Sequence, residues 1–505
     1  MNPQCLFFNL SILLILCFVC SSKSYDYDLV IIGSGAAGIT AAKLAYDRGK
    51  RIAIIEKNKP GGSKIWFGDI PTKTFAQAAR ELKKVNEKSY IKELSYTFDT
   101  SSLLSHIRKI SNDIYEFCSI EELTKMGIEI IIGTARFIDN HTLTINGRTI
   151  CTDNVILATG TRPHITHIEG IISVPYLTPE TFFTLNVLPK SIIIIGGGFL
   201  GVELAETLGI LGVNVTIIMK HGLLLPTFDF ELVGMLTENL QQLGISVLCS
   251  SLATKVENDK DLVKVTYLDR FDMYHTITAE SLFVATNRIA NIENLGLENT
   301  NVTFNKKGIE VKKTMQTNAN NIYACGDVVG QTLLSRVAHF QAKIAIQNMF
   351  RPWWQKEIKP NYINLARMVY TYPPFASIGL TEQEAYIVHG SSLRIYRCPY
   401  TLLDKAHIDG TTEGIAKFIC TSDGTIVGAH IFGECAGELI ELVKIGHKLY
   451  NLETEYIFKQ HAVLPNYKEL IWHANQLCKK DLEPLVSNKN IIQYYAEKVL
   501  SFLSR

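Results

Sequence analysis

Apolar residues in this chain come in long runs rather than spread evenly. Tyr25 begins Tyr-Asp-Tyr-Asp-Leu-Val-Ile-Ile, whose last four positions are apolar without polar alternation. That is the pattern of a strand covered on both faces, as in a parallel sheet. The run enters Gly33-Ser-Gly35-Ala-Ala-Gly38, then an alanine-rich helix from Ile39 to Tyr46 and a second strand from Arg51 to Glu56. The same grammar returns at Ser191 to Gly201, with a helix through Leu208 and a strand from Val213 to Met219. Two βαβ units whose first glycines, Gly33 and Gly196, lie 163 residues apart predict two separate dinucleotide-binding domains. Between them the 3.6-residue period predicts helices over Thr74 to Asn86 and Leu103 to Lys125. Short strands follow, ending in Val155-Ile-Leu-Ala-Thr-Gly160. Residues Ser250 to Thr278 alternate as strands, and from Met368 onward the pattern is a separate α+β segment.

Length agrees with this division, because 505 residues exceed what a single core supports. A hydrophobic content of 47% and a charged content of 20% are those of an ordinary globular protein. The formal net charge of +1, with no long run of one sign, argues against nucleic acid and against a polybasic membrane surface. The 11 cysteines form no pair of zinc-like Cys-x-x-Cys motifs, and no metal site is expected. Cys118, Cys151, Cys249, Cys398 and Cys420 read as single buried thiols.

The first 24 residues differ from the rest. Leu6 to Val19 is a 14-residue apolar run followed by Ser21, Ser22 and Ser24, which suits a signal-peptide core better than a bilayer span. The start, Met-Asn-Pro-Gln, lacks the usual cation. We expect a targeting or anchoring leader, and hence an exported or membrane-associated protein that touches a membrane only through that leader if it is uncleaved. The alternative is an over-extended start and a cytoplasmic protein.

Gly33, Gly35 and Gly38 follow a strand and open a helix, so backbone N–H groups can approach a pyrophosphate at the positive end of that helix. Glu56 ends the next strand, 18 residues after Gly38, where a carboxylate can bond ribose hydroxyls. Gly196, Gly198 and Gly201 repeat the loop. The same 18-residue count from Gly201 reaches Met219, followed by Lys220. No carboxylate waits for a 2′-hydroxyl there, while a cation is available for a 2′-phosphate, which tilts the second cofactor toward NADPH over NADH. The bland alternative for Lys220 is a solvated strand-end lysine.

These blocks, taken in order, resemble the class I pyridine nucleotide–disulfide oxidoreductases, the family of dihydrolipoamide dehydrogenase, glutathione reductase and mercuric reductase. The resemblance runs from Tyr25 to about residue 480. It includes the loop Gly61 to Lys73, Ala158-Thr-Gly160, Gly196 to Glu203, Tyr323-Ala-Cys-Gly-Asp327, Tyr372-Pro-Pro-Phe-Ala-Ser-Ile-Gly-Leu-Thr381, and Pro465 to Glu469. Asp404-Lys-Ala-x-x-Asp-Gly410 and the helix over Val337 to Phe350 are most like the mercuric-reductase branch. The resemblance implies an α/β fold with FAD in the first dinucleotide domain, NAD(P)H in the second, and a C-terminal α+β dimerisation domain that makes a homodimer. The divisions expected are a leader over 1–24, an FAD domain over 25–165 and 290–355, and an NAD(P) domain over 166–289. A dimerisation domain over 360–482 and a helical tail over 483–505 complete the chain. By the same resemblance Gly160 and Asp327 contact the flavin nucleotide, Cys325 packs, and Lys73 pairs with Glu203 as the catalytic couple beside flavin and nicotinamide.

The departures from the family pattern are as telling. Its loop reads Gly-Gly-x-Cys-x₄-Cys-x-Pro-x-Lys, and here Lys64 and Asp69 occupy the two cysteine positions. Leu464 stands where the family has a histidine before Pro465, although Glu469, its orienting partner, is present; His461 is out of register. Asn287-Arg288 replaces the usual Gly-Arg. An imidazole that shuttles a thiolate proton has no task once the thiolates are gone, so the losses are coherent. A Lys64–Asp69 ion pair would contribute up to about 1 kcal/mol if exposed, against about 2 kcal/mol for a short disulfide loop. The alternative is two unrelated charges. The expected function is an FAD-dependent NAD(P)H oxidoreductase delivering electrons to a non-disulfide acceptor: a quinone, a second nicotinamide nucleotide, a metal-centred protein or oxygen. The rival is a non-catalytic FAD-binding scaffold. A true lipoamide, glutathione or mercuric reductase ranks third.

Overall fold

The computed structural model describes residues 25–487 except 89, 91–97, 166, 331, 363–364 and 447–464. The leader, Leu464, His461 and the tail beyond residue 487 lie outside the described residues. The chain forms two compact units. The first gathers residues 1–64, 114–162 and 289–360, and the second gathers 65–113, 163–288 and 361–505.

In the first unit the apolar run after Asp28 becomes strand Tyr27–Ile32, with Leu29 to Ile31 fully buried. It pairs in parallel with Ile52–Glu56 on one side and Arg148–Leu157 on the other, with Leu29 opposite Ile52 and Asn154. Glu129–Ile132 and Ile322–Ala324 extend the sheet in parallel at either side. Strand Arg148–Leu157 also continues into an antiparallel ribbon with Thr142–Ile145 and Ala135–Phe137. Helix Ala36–Tyr46 packs alanines Ala37, Ala41, Ala42 and Ala45 against Leu29, Ile31 and Ile54. Small side chains let this helix lie close to the sheet, and helix Ser335–Met349 covers it.

The second unit repeats the pattern. Ser191–Ile195, Asn214–Ile218, Ser246–Leu248 and Ser281–Val284 form a parallel sheet, ordered with Ser191–Ile195 between Asn214–Ile218 and Ser281–Val284. The alternating stretch after Ser250 forms three antiparallel strands, Leu252–Asp259, Leu262–Leu268 and Tyr274–Ala279. The expected helices appear as Asp69–Asn86 and Thr100–Tyr115, the latter followed by a short turn and a separate helix, Ile120–Lys125, which belongs to the first unit. The α+β segment is a five-stranded antiparallel sheet ordered Arg367–Val369, Phe375–Gly379, Ile426–Phe432, Ile415–Cys420, Arg394–Pro399. Helices Ala436–Gly446 and Glu469–Ser487 pack on it. Among the described residues no helix is long and apolar enough to cross a membrane.

Candidate flavin and nicotinamide sites

In the first unit, the turn after strand Tyr27–Ile32 needs Gly33 at a φ of +103°, with a carbonyl of Ala158 where a Cβ would stand. One turn later a Cβ at Gly38 would lie 1.9 Å from the Gly33 carbonyl oxygen, so helix and strand can meet this closely only through glycine. Helix Ala36–Tyr46 starts at Gly35 with no side chain capping it, leaving its first-turn N–H groups for a ligand. Glu56 Oε2 accepts from the Ser34 N–H at 2.9 Å and its hydroxyl at 2.7 Å, and Oε1 accepts from the Asn58 N–H at 3.0 Å. The carboxylate is thus fixed against the glycine turn with lone pairs to spare. Thr161 donates to Asp327 at 3.3 Å, and the backbone at Gly326 abuts Ala37 in the first helical turn. Gly160 follows Thr159, whose hydroxyl donates to the Asn291 carbonyl at 2.7 Å. Gly33, Gly35, Gly38 and Glu56 therefore meet at one helix N-terminus, with Gly326 against its first turn, a cradle that fits a dinucleotide; Asp327 follows Gly326 and Gly160 follows Thr159, which borders Gly33.

The segment bearing Lys64 rests on the same turn. The Gly61 N–H donates to the Ser34 carbonyl at 3.1 Å, and the Cα of Gly35 lies 2.6 Å from where a Gly62 Cβ would be. From helix Gly62–Trp66 the Lys64 ammonium reaches His339 Nε2 at 3.4 Å. His339 Nδ1 lies 2.5 Å from the Thr40 hydroxyl, which donates to the Ala36 carbonyl at 2.7 Å. One tautomer satisfies the chain: Lys64 donates to Nε2, and Nδ1–H donates to Thr40. Asp69 opens helix Asp69–Asn86, where its charge suits the helix dipole.

In the second unit, helix Phe199–Ile210 likewise starts at an uncapped Gly198, and Gly201 crosses Gly196 as closely as Gly38 crosses Gly33. At the position corresponding to Glu56, the Met219 sulfur receives the Gly197 N–H at 3.3 Å. A thioether here does what a carboxylate does in the first loop, but brings no charge. Lys220 is exposed at the strand end. Gly196, Gly198 and Gly201 form the second cradle, and it too fits a dinucleotide.

Lys73 and Glu203 meet in this unit. Lys73 Nζ lies 2.5 Å from Glu203 Oε2 and 4.2 Å from the centre of the Tyr370 ring. Glu203, only 5% exposed, uses its other oxygen to accept the Tyr370 N–H at 2.8 Å. One turn along the helix Glu206, 2% exposed, accepts the Tyr372 N–H at 2.8 Å, while its Oε1 is buried without a hydrogen-bond partner among the described residues. Burial, with the Glu203 charge adding to it, pushes the Glu206 carboxyl up to about 8, against the pull of the Tyr372 N–H and Lys83. Tyr370, Glu206 and His339 were missed in the sequence. Of these, Glu206 alone left a trace, a second acid three residues after Glu203 in an otherwise apolar helix. All eight cysteines among the described residues are free. Cys118, Cys398 and Cys420 are buried as expected, whereas Cys151 and Cys249 are only half-buried. Burial pushes the Cys325 thiol up to about 12, consistent with a packing role.

Two dinucleotide cradles with a buttressed lysine–glutamate pair define a two-nucleotide oxidoreductase. The pyridine nucleotide-disulphide oxidoreductase family profile matches residues 27–342, and that family's dimerisation domain matches residues 365–475. The chain belongs to the pyridine nucleotide-disulphide oxidoreductase family. It is 29% identical over 423 residues to a mercuric reductase of Staphylococcus aureus, covering 83% of this chain and 76% of that protein. It is 31% identical to a dihydrolipoyl dehydrogenase of Bacillus subtilis (82% and 90% covered) and 30% to a glutathione reductase of Nostoc (84% and 94%). The Cu(II) complex of the HOCl-induced flavoprotein disulfide reductase RclA from Escherichia coli superposes with a TM-score of 0.79 at 25% identity, covering 88% of this chain and 98% of that one. The protein is thus an FAD-dependent pyridine nucleotide oxidoreductase, and its dimerisation domain supports a homodimer.

Proposed function

We propose that the protein takes hydride from NAD(P)H and passes the electrons to an acceptor other than a disulfide. The observation that carries this reading is the Lys73–Glu203 pair, complete and held by Tyr370, in a chain whose positions 64 and 69 are lysine and aspartate. When bound, FAD supplies the centre that accepts the hydride. Lys73 supplies a fixed positive charge, oriented before reaction by a buried carboxylate and an aromatic face, so no reorganisation is needed as negative charge develops. Glu203 keeps that ammonium aimed. Lys64, donating to His339, offers a cation where the family has a thiol, and neither it nor Asp69 can carry electrons. NADPH is favoured over NADH because Met219 leaves the second loop without a carboxylate and Lys220 stands exposed beside it.

Anaerobic mixing tests the reading. NADPH, and NADH more weakly, should bleach the flavin absorbance without the number of titratable thiols rising. A flavin that stays oxidised with both nucleotides would establish the scaffold reading instead. New thiols on reduction would establish a disulfide enzyme.

A further inference from the structure

At one end of the first unit lies a surface that the nucleotide chemistry does not use. Trp353 and Trp354 are 88% and 69% exposed, with their rings edge to face and centroids 5.8 Å apart. Their turn, which follows helix Ser335–Met349, is rigidly built. The buried Asn348 side chain donates to the Ile358 carbonyl at 2.7 Å and accepts the Ile358 N–H at 2.9 Å. The Gln355 N–H donates to the Pro352 carbonyl, and the Arg351 guanidinium donates to the Gln355 carbonyl. Two indoles are therefore held in water by the backbone around them.

The surroundings say what would cover them. Lys50 sits 4.9 Å from the Phe350 ring, tying the end of helix Ala36–Tyr46 to this turn. The next residue, Arg51, donates to the Tyr25 carbonyl at 3.0 Å. Phe350, just before the tryptophan turn, and Tyr25 thus contact the consecutive residues Lys50 and Arg51, and the 24 residues before Tyr25 include the apolar run Leu6 to Val19. Arg48, Lys356 and Lys359 add exposed cations, partly offset by Asp47 and Glu357. Indoles beside long cationic side chains suit the bilayer interface, where the ring sits among headgroups and the cation reaches phosphate.

We propose that this end of the first unit is a peripheral docking surface for a lipid bilayer, with Trp353 and Trp354 seated at headgroup depth. The offset charges make the indoles, rather than anionic lipid, the main source of affinity.

The test uses the full chain with phosphatidylcholine vesicles carrying brominated acyl chains, with and without phosphatidylglycerol. Bromine quenches only indoles within the bilayer. Two of the four tryptophans lie at this surface, so bound protein should lose roughly half of its tryptophan emission. Phosphatidylglycerol should tighten binding only a few-fold. Trp353→Ser/Trp354→Ser should abolish the quenching while NADPH still bleaches the flavin. Bound protein with unquenched tryptophans would overturn the proposal, because the N-terminal run alone would then be the anchor. Absent binding, quenching that survives in the double variant, or emission that shifts with protein concentration in the absence of vesicles (a second copy as the occupant) would overturn it as well.

Discussion

In the second unit Lys73, Lys220 and Glu206 respond differently to replacement. Lys73→Met leaves the buried Glu203 with only the Tyr370 N–H, so the fixed cation and its buttress are lost together. We expect flavin reduction in stopped-flow to slow by about 10²-fold or more while FAD stays bound. Lys220→Ala should raise the KM for NADPH several-fold and leave that for NADH unchanged. Glu206 acts on stability. Its folded-state value, raised from 4.5 to about 8, means that the native state resists ionisation that the unfolded chain allows. The protein therefore loses stability as pH climbs from about 4.5 toward 8, by something on the order of 3 kcal/mol at pH 7, and no further above that window. Glu206→Gln keeps an acceptor for the Tyr372 N–H and removes this slope. Its melting temperature should exceed that of the parent at pH 8 and match it near pH 5.

Among elements, strand Ile415–Cys420 and the start of helix Phe230–Gln242 are locked by charge. Lys417, fully buried, contacts the equally buried Asp229 at 2.9 Å, Glu231 at 2.8 Å and Glu382 at 2.6 Å. Lys417→Met strands Asp229 and should cost roughly 3–5 kcal/mol in denaturant unfolding. Hydrogen bonds from Arg397, ahead of Lys417, hold the Glu231 carboxyl near 2, so its contribution persists above about 4.5 and is lost on acidification toward 2. Nothing in the sequence marked this cluster, because its members lie far apart along the chain and none belongs to a motif. The strands and the two glycine-opened helices were legible, since their patterns are local: apolar runs such as Leu29 to Ile32 allow little else. The helix expected over Leu103 to Lys125 is interrupted where Ser119 caps a new one by accepting the Glu122 N–H. The periodicity there was right, but a cap in mid-stretch outweighed it. The Lys73–Glu203 contact, spanning 130 residues, follows from the family resemblance, whereas Tyr370 contributes a backbone N–H that any residue but proline would supply.

For the molecule as a whole, the proposed reaction makes a counting prediction. Reductive titration should consume one pair of electrons per flavin, where a flavin working with a disulfide would take two pairs. Uptake of a second pair would mean that some of the cysteines exchange electrons after all, although burial raises the thiols of Cys118, Cys325, Cys398 and Cys420. The duplicated cradles differ by one charge, because Glu56 accepts the loop N–H in the first and the Met219 sulfur accepts it in the second.

The hydrogen-bond chain from Lys64 has a consequence for what position 64 can hold. His339 can donate to Thr40 only from Nδ1, because the Thr40 proton is already committed to Ala36; this leaves Nε2 as an acceptor that needs a strong donor. A cysteine at position 64 would be shorter and a weaker donor, so this contact to Nε2 would be lost. Position 64 is thereby tied to two other helices, through His339 to helix Ser335–Met349 and through Thr40 to helix Ala36–Tyr46.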